Sequence, residues 1–282
     1  MKHGLVLEGG ALRGLYSMGI VDALTEAGIA FDGVVGVSAG AALGCNLKSG
    51  QVGRALRYNM RFAKDWRYCS LRSLLLTGDL YGAEYAYHKV PNELDLFDRK
   101  AFNANALPFW AVCTDVETGE AVYHLLEVAD DEAFEWIRAS ASMPLCSRVV
   151  TIGGQKLLDG GVSDSIPLAF MEGQGYERNL VILTQPQGYV KGPNRFLTLM
   201  RMSGLRRYPR FLEAVAQRHV MYNNEVEYVR QREREGTALV FRPDEKLPIH
   251  HTSHDPEVMR RVYMLGREQA IKRLEEVKSF FE

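Results

Sequence analysis

The stretch that most constrains how this chain can fold is Gly36-Val37-Ser38-Ala39-Gly40. Val34 and Val35 lead into it as a short buried strand that begins after Asp32-Gly33, and Ala41, Ala42, Leu43 and Gly44 open a helical pattern behind it. A Gly-x-Ser-x-Gly between a strand and a helix is the arrangement of a nucleophile elbow. The serine occupies a strained turn, and the flanking glycines leave room where a β-carbon would meet the neighbouring strand or helix. Ser38 Oγ is thereby pushed out beyond the sheet, next to the N–H groups of a helix N-terminus, which suits a reaction that builds negative charge. The plainer reading is a tight turn of small residues that only permits close helix packing. The rest of the chain decides between the two.

Residues 4–8 read as a first strand that runs into Gly9-Gly10-Ala11-Leu12-Arg13-Gly14. A helix follows with Leu15, Met18, Ile20, Val21 and Leu24 on one side, stopped by Ala27-Gly28. A second strand at 33–38 and the elbow helix come next. Strand, helix, strand, helix within fifty residues predicts an α/β fold with parallel pairing. Further on, helical stretches are expected near 53–63 and 82–89. Two hairpins are expected, one pairing 108–114 with 121–126 and one pairing 149–152 with 156–158. A helix at 131–140 separates them. A strand at 180–184, a long helix at 209–234, a strand at 238–242 and a terminal helix at 256–281 complete the chain. No repeat or low-complexity linker interrupts it, so residues 1–282 are expected to form a single domain, with a largely helical C-terminal region from about 195.

The chemistry of acyl transfer asks for a nucleophile, a base and donors for an oxyanion. Ser38 is the candidate nucleophile. The glycines of the 9–14 loop are the candidate donors, because their N–H groups can converge on an anion unobstructed and the loop caps a helix with the right dipole. A dinucleotide site is excluded by spacing, since Ala11 stands where the Gly-x-Gly-x-x-Gly pattern places its second glycine. The base is less determined. None of His3, His88, His124, His219, His250, His251 and His254 sits in a motif. Asp159, between a strand end and Gly160-Gly161, could serve if burial raised its pKa and a hydrogen bond aimed it at the serine. Read alone, Asp-Gly-Gly is also a common turn signal.

Taken together, residues 9–14, 36–40, Ala139-Ser140-Ala141-Ser142-Met143-Pro144 and Asp159-Gly160-Gly161 resemble, in type and order, the patatin-like phospholipases, the bacterial cytoplasmic branch in particular. The resemblance implies a three-layer α/β/α hydrolase with a mostly parallel central sheet, using a Ser–Asp dyad without histidine; no cofactor is expected, and His250, His251 and His254 are spaced too loosely for a helical metal pair, so no metal is expected either. Ser38 would be the nucleophile and Asp159 the base. Gly9, Gly10, Ala11 and Ala39 would form the oxyanion hole, with Arg13, Gly14, Gly36, Gly40, Gly160 and Gly161 supporting the motifs. The substrate would be a lipid acyl ester, cleaved through an acyl-enzyme as phospholipases, lysophospholipases and esterases do. Ala11 departs from the pattern, which often has a third glycine there. Past about residue 190 no family motif remains.

Other features bear on partners. The net charge of −1 gives no general attraction to nucleic acid. The four separated cysteines read as reduced thiols of a cytoplasmic protein, and the apolar run at 5–7 is too short for a secretory signal. Leu71, Leu74, Leu75 and Leu76, or Phe196, Leu197, Leu199 and Met200, could line or cover an apolar trench, or could simply be core. Arg195, Arg201, Arg206, Arg207 and Arg210, interleaved with Phe196, Tyr208 and Phe211, suit either a peripheral contact with the inner face of a membrane or a solvated basic face. Oligomeric state leaves no mark on the sequence. Two rivals stay open: a Ser-His-Asp triad using His250, His251 or His254, and a non-catalytic lipid-binding module on the same fold.

Overall fold

The computed structural model describes residues 1–250 and 252–282. Eight strands form one sheet: β1 (His3–Leu7), β2 (Gly33–Val37), β3 (Phe109–Asp115), β4 (Ala121–Leu125), β5 (Val150–Ile152), β6 (Gln155–Asp159), β7 (Arg178–Ile182) and β8 (Ala238–Phe241). The helices are α1 (Gly14–Glu26), α2 (Ala39–Lys48), α3 (Arg54–Phe62), α4 (Leu71–Thr77), α5 (Arg99–Ala104) and α6 (Asp131–Ser140), then α7 (Leu168–Gly173), α8 (Leu197–Met202), α9 (Pro209–Glu235), α10 (Pro256–Lys272) and α11 (Leu274–Phe281).

The sheet order is β5-β6-β3-β2-β1-β7-β8, with β4 also paired to β3. From β3 to β8 every pairing along this path is parallel, and β4, β5 and β6 add antiparallel hairpins at the other end. The parallel strands are apolar on both sides because helices cover both. Leu5, Leu7 and Val34 face a core shared with α1, α2, α6 and α10. Val6, Val35 and Val37 face the opposite core, filled from α7 and α9. This is the three-layer α/β/α arrangement.

The register around β3 brings two distant strand ends together. A strand has two edges, and β4 takes one edge of β3 from Trp110 to Thr114. On the other edge β2 pairs as far as Val37 opposite Val112, and β6 takes over at once with Asp159 opposite Cys113. The end of β2 and the end of β6 therefore meet on one edge of a shared neighbour.

The structure corrects several local expectations. Residues from Gly14 to Leu24 of α1 are buried on all sides, not on one face. The reason is α10, which crosses so closely that a β-carbon on Gly19 would lie 2.0 Å from Tyr263 O, and one on Gly266 would lie 2.0 Å from Tyr16 O. The helix expected at 82–89 runs from Glu84 to Leu94 in wider π turns. An α-helical path would drive the Pro91 ring against the carbonyl four residues back. The terminal helix breaks at Arg273, whose guanidinium reaches back to Val240 O at 2.7 Å. Strand β2 ends at Val37, because the next residue leaves the strand conformation altogether.

Candidate active site

Ser38 follows β2 directly and caps α2 with φ 55° and ψ −118°, a conformation that costs a non-glycine residue on the order of 1–3 kcal/mol. Packing holds it there. A β-carbon on Gly36 would come within 2.4 Å of Gly40 O, and one on Gly40 within 2.3 Å of Leu7 O, so the elbow closes only with glycine at both positions. Ser140, fully buried at the end of α6, adds a brace for which the sequence had suggested no role. It accepts the Ser38 N–H at 2.9 Å and donates to Val112 O at 2.6 Å, tying the elbow to β3.

Asp159 ends β6 at the position fixed by the β3 register, and Ser38 Oγ donates to its Oδ2 at 2.7 Å. The second carboxylate oxygen accepts the Gly161 N–H at 2.8 Å, where Gly160 and Gly161 turn away as a short 3₁₀ helix. Asp159 N donates to Ser142 O, and Asp159 O accepts from Thr114 Oγ1. Both side chains are buried, Ser38 at 8% exposure and Asp159 at 5%. Burial raises the Asp159 carboxyl above its ordinary range, opposed by the nearby Arg218 guanidinium, the Ser38 hydroxyl and the Gly161 amide. The result is a carboxylate made more basic yet held in line with a hydroxyl.

The 9–14 loop packs against this pair. Gly9 abuts Ser38, a β-carbon there coming within 2.9 Å of Ser38 Cβ. Ala11, the residue that departs from the motif, adopts φ 47°, the left-handed region that a glycine enters more easily. Among the described residues the N–H groups of Gly9, Gly10, Ala11 and Ala39 donate to no protein acceptor, so they stand available for a ligand. Arg13 anchors the loop, its Nε reaching Thr184 Oγ1 at 3.4 Å, and Gly14 starts α1.

Ser38, Ala11 and Met143 line two cavities at once. One, about 90 Å³, is walled by Leu43, Tyr58, Tyr68, Tyr87, Val90 and Phe134, so the π-helical segment supplies part of an apolar pocket. The other, about 290 Å³, is polar and holds Glu8, Arg13, Asp159, Lys191, Arg218 and Tyr222. Of the expected segment Phe196, Leu197, Leu199 and Met200, only Phe196 and Met200 line this second cavity, and they do so among charged side chains rather than in an apolar trench. The alternative segment does not line either: Leu71, Leu75 and Leu76 lie on the outer face of α4, 71%, 86% and 65% exposed, while Leu74 packs on the core. Lys191, Arg218 and the tyrosines carried no motif, and only their convergence here marks them.

The histidines are engaged elsewhere. His254 Nδ1 lies 2.5 Å from Ala63 O, His88 pairs with Glu135, His219 with Ala216 O, and His124 stacks on Trp136. His3 stacks on Phe281, and the exposed His250 is held through its backbone N–H, which donates to Ser253 Oγ. His251, the remaining candidate for a triad, lies outside the described residues.

Comparison with known proteins places this geometry in context. The profile of the patatin-like phospholipase family matches residues 5–171, and that of a domain of unknown function (DUF6363) matches residues 208–282. The lysophospholipase NTE1 of Coccidioides immitis is 28% identical over 213 residues, which are 70% of this chain but 13% of that protein. The chain thus spans about an eighth of the length of that fungal relative. The uncharacterized protein YjjU of Escherichia coli is 26% identical over 94% of this chain and 75% of its own length. Among solved structures, VipD from Legionella pneumophila aligns at a TM-score of 0.49 and 13% identity, over 98% of this chain and 67% of that one.

Proposed function

The chain belongs to the patatin-like phospholipase family, and from that premise we propose that it is a serine acyl-hydrolase acting on lipid esters through a Ser38–Asp159 dyad. The observation that carries the reading is the 2.7 Å hydrogen bond from Ser38 Oγ to Asp159 Oδ2, buried and flanked by amide donors that no acceptor among the described residues uses. Asp159 takes the Ser38 proton as Oγ attacks the ester carbonyl carbon. The resulting oxyanion rests on N–H groups of the 9–14 loop and of Ala39, each such donor being worth about 3–4 kcal/mol. Collapse breaks the carbonyl–alkoxy bond, and the leaving oxygen collects the proton from Asp159. Water then attacks the acyl-enzyme, gives its proton to Asp159, and expels Ser38 with that proton restored.

The direct bond from Ser38 to Asp159, whose second oxygen is already taken by Gly161, favours a dyad over the triad, as does the His254 ring turned to Ala63 O. The apolar cavity suits an acyl chain, and the chain works as one unit, since β8 extends the sheet and α10 packs on α1. The substrate reaches it from a membrane surface met peripherally on its cytoplasmic side. Exposed Phe196, Leu199 and Met202 stand there beside the five exposed arginines of 195–210, none of which is in an ion pair among the described residues. No described helix is long and apolar enough to cross a bilayer.

A fluorophosphonate probe tests the nucleophile. The wild-type protein should be labelled covalently and Ser38→Ala should not. A protein that takes no label at all would favour the non-catalytic lipid-binding module.

A further inference from the structure

The polar cavity beside Ser38 brings cations and carboxylates together without pairing all of them. Arg13, Lys191 and Arg218 line it together with Glu8 and Asp159. Glu8 is occupied: it accepts the Tyr222 hydroxyl at 2.8 Å and the Thr184 N–H. Asp159 is occupied by Ser38 and Gly161. Among the described residues, Lys191 Nζ has no carboxylate within ion-pair distance and sits 4.3 Å over the Tyr222 ring. The Arg218 guanidinium likewise lacks a carboxylate partner, and its one protein acceptor is Gly161 O.

These cations are held in place. Lys191 N donates to Asn223 Oδ1 at 2.9 Å, and Asn223 Nδ2 donates back to Lys191 O at 3.0 Å, clamping the lysine backbone to α9. Arg218 and Tyr222 stand one turn apart on the same helix. Burial, reinforced by Arg218, lowers the Lys191 ammonium to about 8, with Arg13 acting in the same sense and Glu8 and Glu225 opposing it. Such a lysine is still charged at neutral pH, and an arriving anion would raise it again. A forked guanidinium and an ammonium that share a pocket, neither in an ion pair among the described residues, match the oxygens of a phosphate.

Resting on the hydrolase reading above, we propose that this cavity is a phosphate-binding subsite, in which Lys191 and Arg218 hold the phosphate of a lysophospholipid-type ester whose acyl chain enters the apolar cavity. Ser38 lies where the two cavities meet, so the scissile ester would sit between chain and phosphate. The region matched by the domain of unknown function then has a task, since α9 contributes Arg218 and Tyr222 and fixes Lys191. A purely structural role for the two cations, biasing Asp159 alone, would alter every ester equally.

Two measurements test this. With matched monoacyl esters of one chain length, one bearing a glycerophosphate and the other an uncharged glycerol, the ratio of kcat/KM (phosphate over neutral) should fall about tenfold or more in Lys191→Met, and again in Arg218→Gln. The loss should sit mainly in KM, and in the wild type KM for the phosphate ester alone should climb above about pH 8. An unchanged ratio in both variants overturns the subsite while leaving the hydrolase reading intact. The second measurement does not depend on turnover. Calorimetric titration of Ser38→Ala with monooctyl phosphate should show binding that Lys191→Met weakens about tenfold, with inorganic phosphate binding far more weakly. Binding of octyl phosphate indifferent to Lys191 refutes the subsite even if no ester is ever hydrolysed. Equal affinity for inorganic phosphate would assign the pocket to a free anion and overturn the headgroup assignment.

Discussion

Asp159→Asn separates catalysis from folding in one substitution. The Gly161 N–H donates to Asp159 Oδ1, so an asparagine keeps its carbonyl oxygen on that side and turns its NH₂ toward Ser38 Oγ. The shape is retained and the base is gone, because an amide cannot take the serine proton. General base catalysis contributes about 10²–10⁴ in rate, so kcat should drop by that factor, about 3–5 kcal/mol in barrier, with KM little changed. Stability should move the other way. The folded-state pKa of Asp159 lies above its unfolded value, so its favourable contribution is complete only below the ordinary carboxyl range and is lost as pH rises through the folded value. Once ionised, Asp159 is a buried carboxylate held at a cost that asparagine avoids. Thermal unfolding of the variant should be at or above the wild-type midpoint at pH 7, and the advantage should shrink on acidification. Hydrolysis of a monoacyl lipid and scanning calorimetry at pH 5 and pH 7 read both effects. Wild-type kcat in the variant would refute the assignment of the base. A midpoint several degrees lower would refute the claim that burial dominates the electrostatics of Asp159.

Ser140→Ala strips the Ser38 N–H and Val112 O of their buried partner, a loss of about 1–3 kcal/mol, and should lower the melting midpoint by on the order of 5 °C and kcat with it. Gly266→Ala should destabilise by about 1–3 kcal/mol in denaturant titration, because the new methyl cannot fit against Tyr16 O unless α10 backs away from α1, while activity per folded molecule is kept. Burial and the adjacent Asp164 carboxyl raise Glu225 well above its ordinary value, so its contribution to stability is full below that ordinary value and is lost as pH rises. Unfolding free energies across pH 5–9 should therefore fall in the wild type and fall less in Glu225→Gln; identical slopes would remove Glu225 as the cause.

The residues that carry local chemistry were readable in the linear chain. Gly36 and Gly40 around Ser38, the glycines at 9, 10 and 14, and Gly160-Gly161 after Asp159 each serve a turn whose demands fall on immediate neighbours. Strand and helix periods likewise depend on residues a few places apart, which is why α6 was legible at its observed bounds and the α/β class followed. Resemblance to a family joined these pieces into a dyad that spacing alone left open. Tertiary structure decided whether they meet. Ser38 and Asp159 are 121 residues apart, and they touch because β2 and β6 share one edge of β3, a register that no segment encodes by itself. The same holds for α1, buried all round only because α10 crosses it, and for Lys191 and Arg218, ordinary surface cations in sequence that converge on one cavity. Local patterns fix which conformations a segment can adopt, whereas packing between distant segments fixes which side chains lose water and face one another.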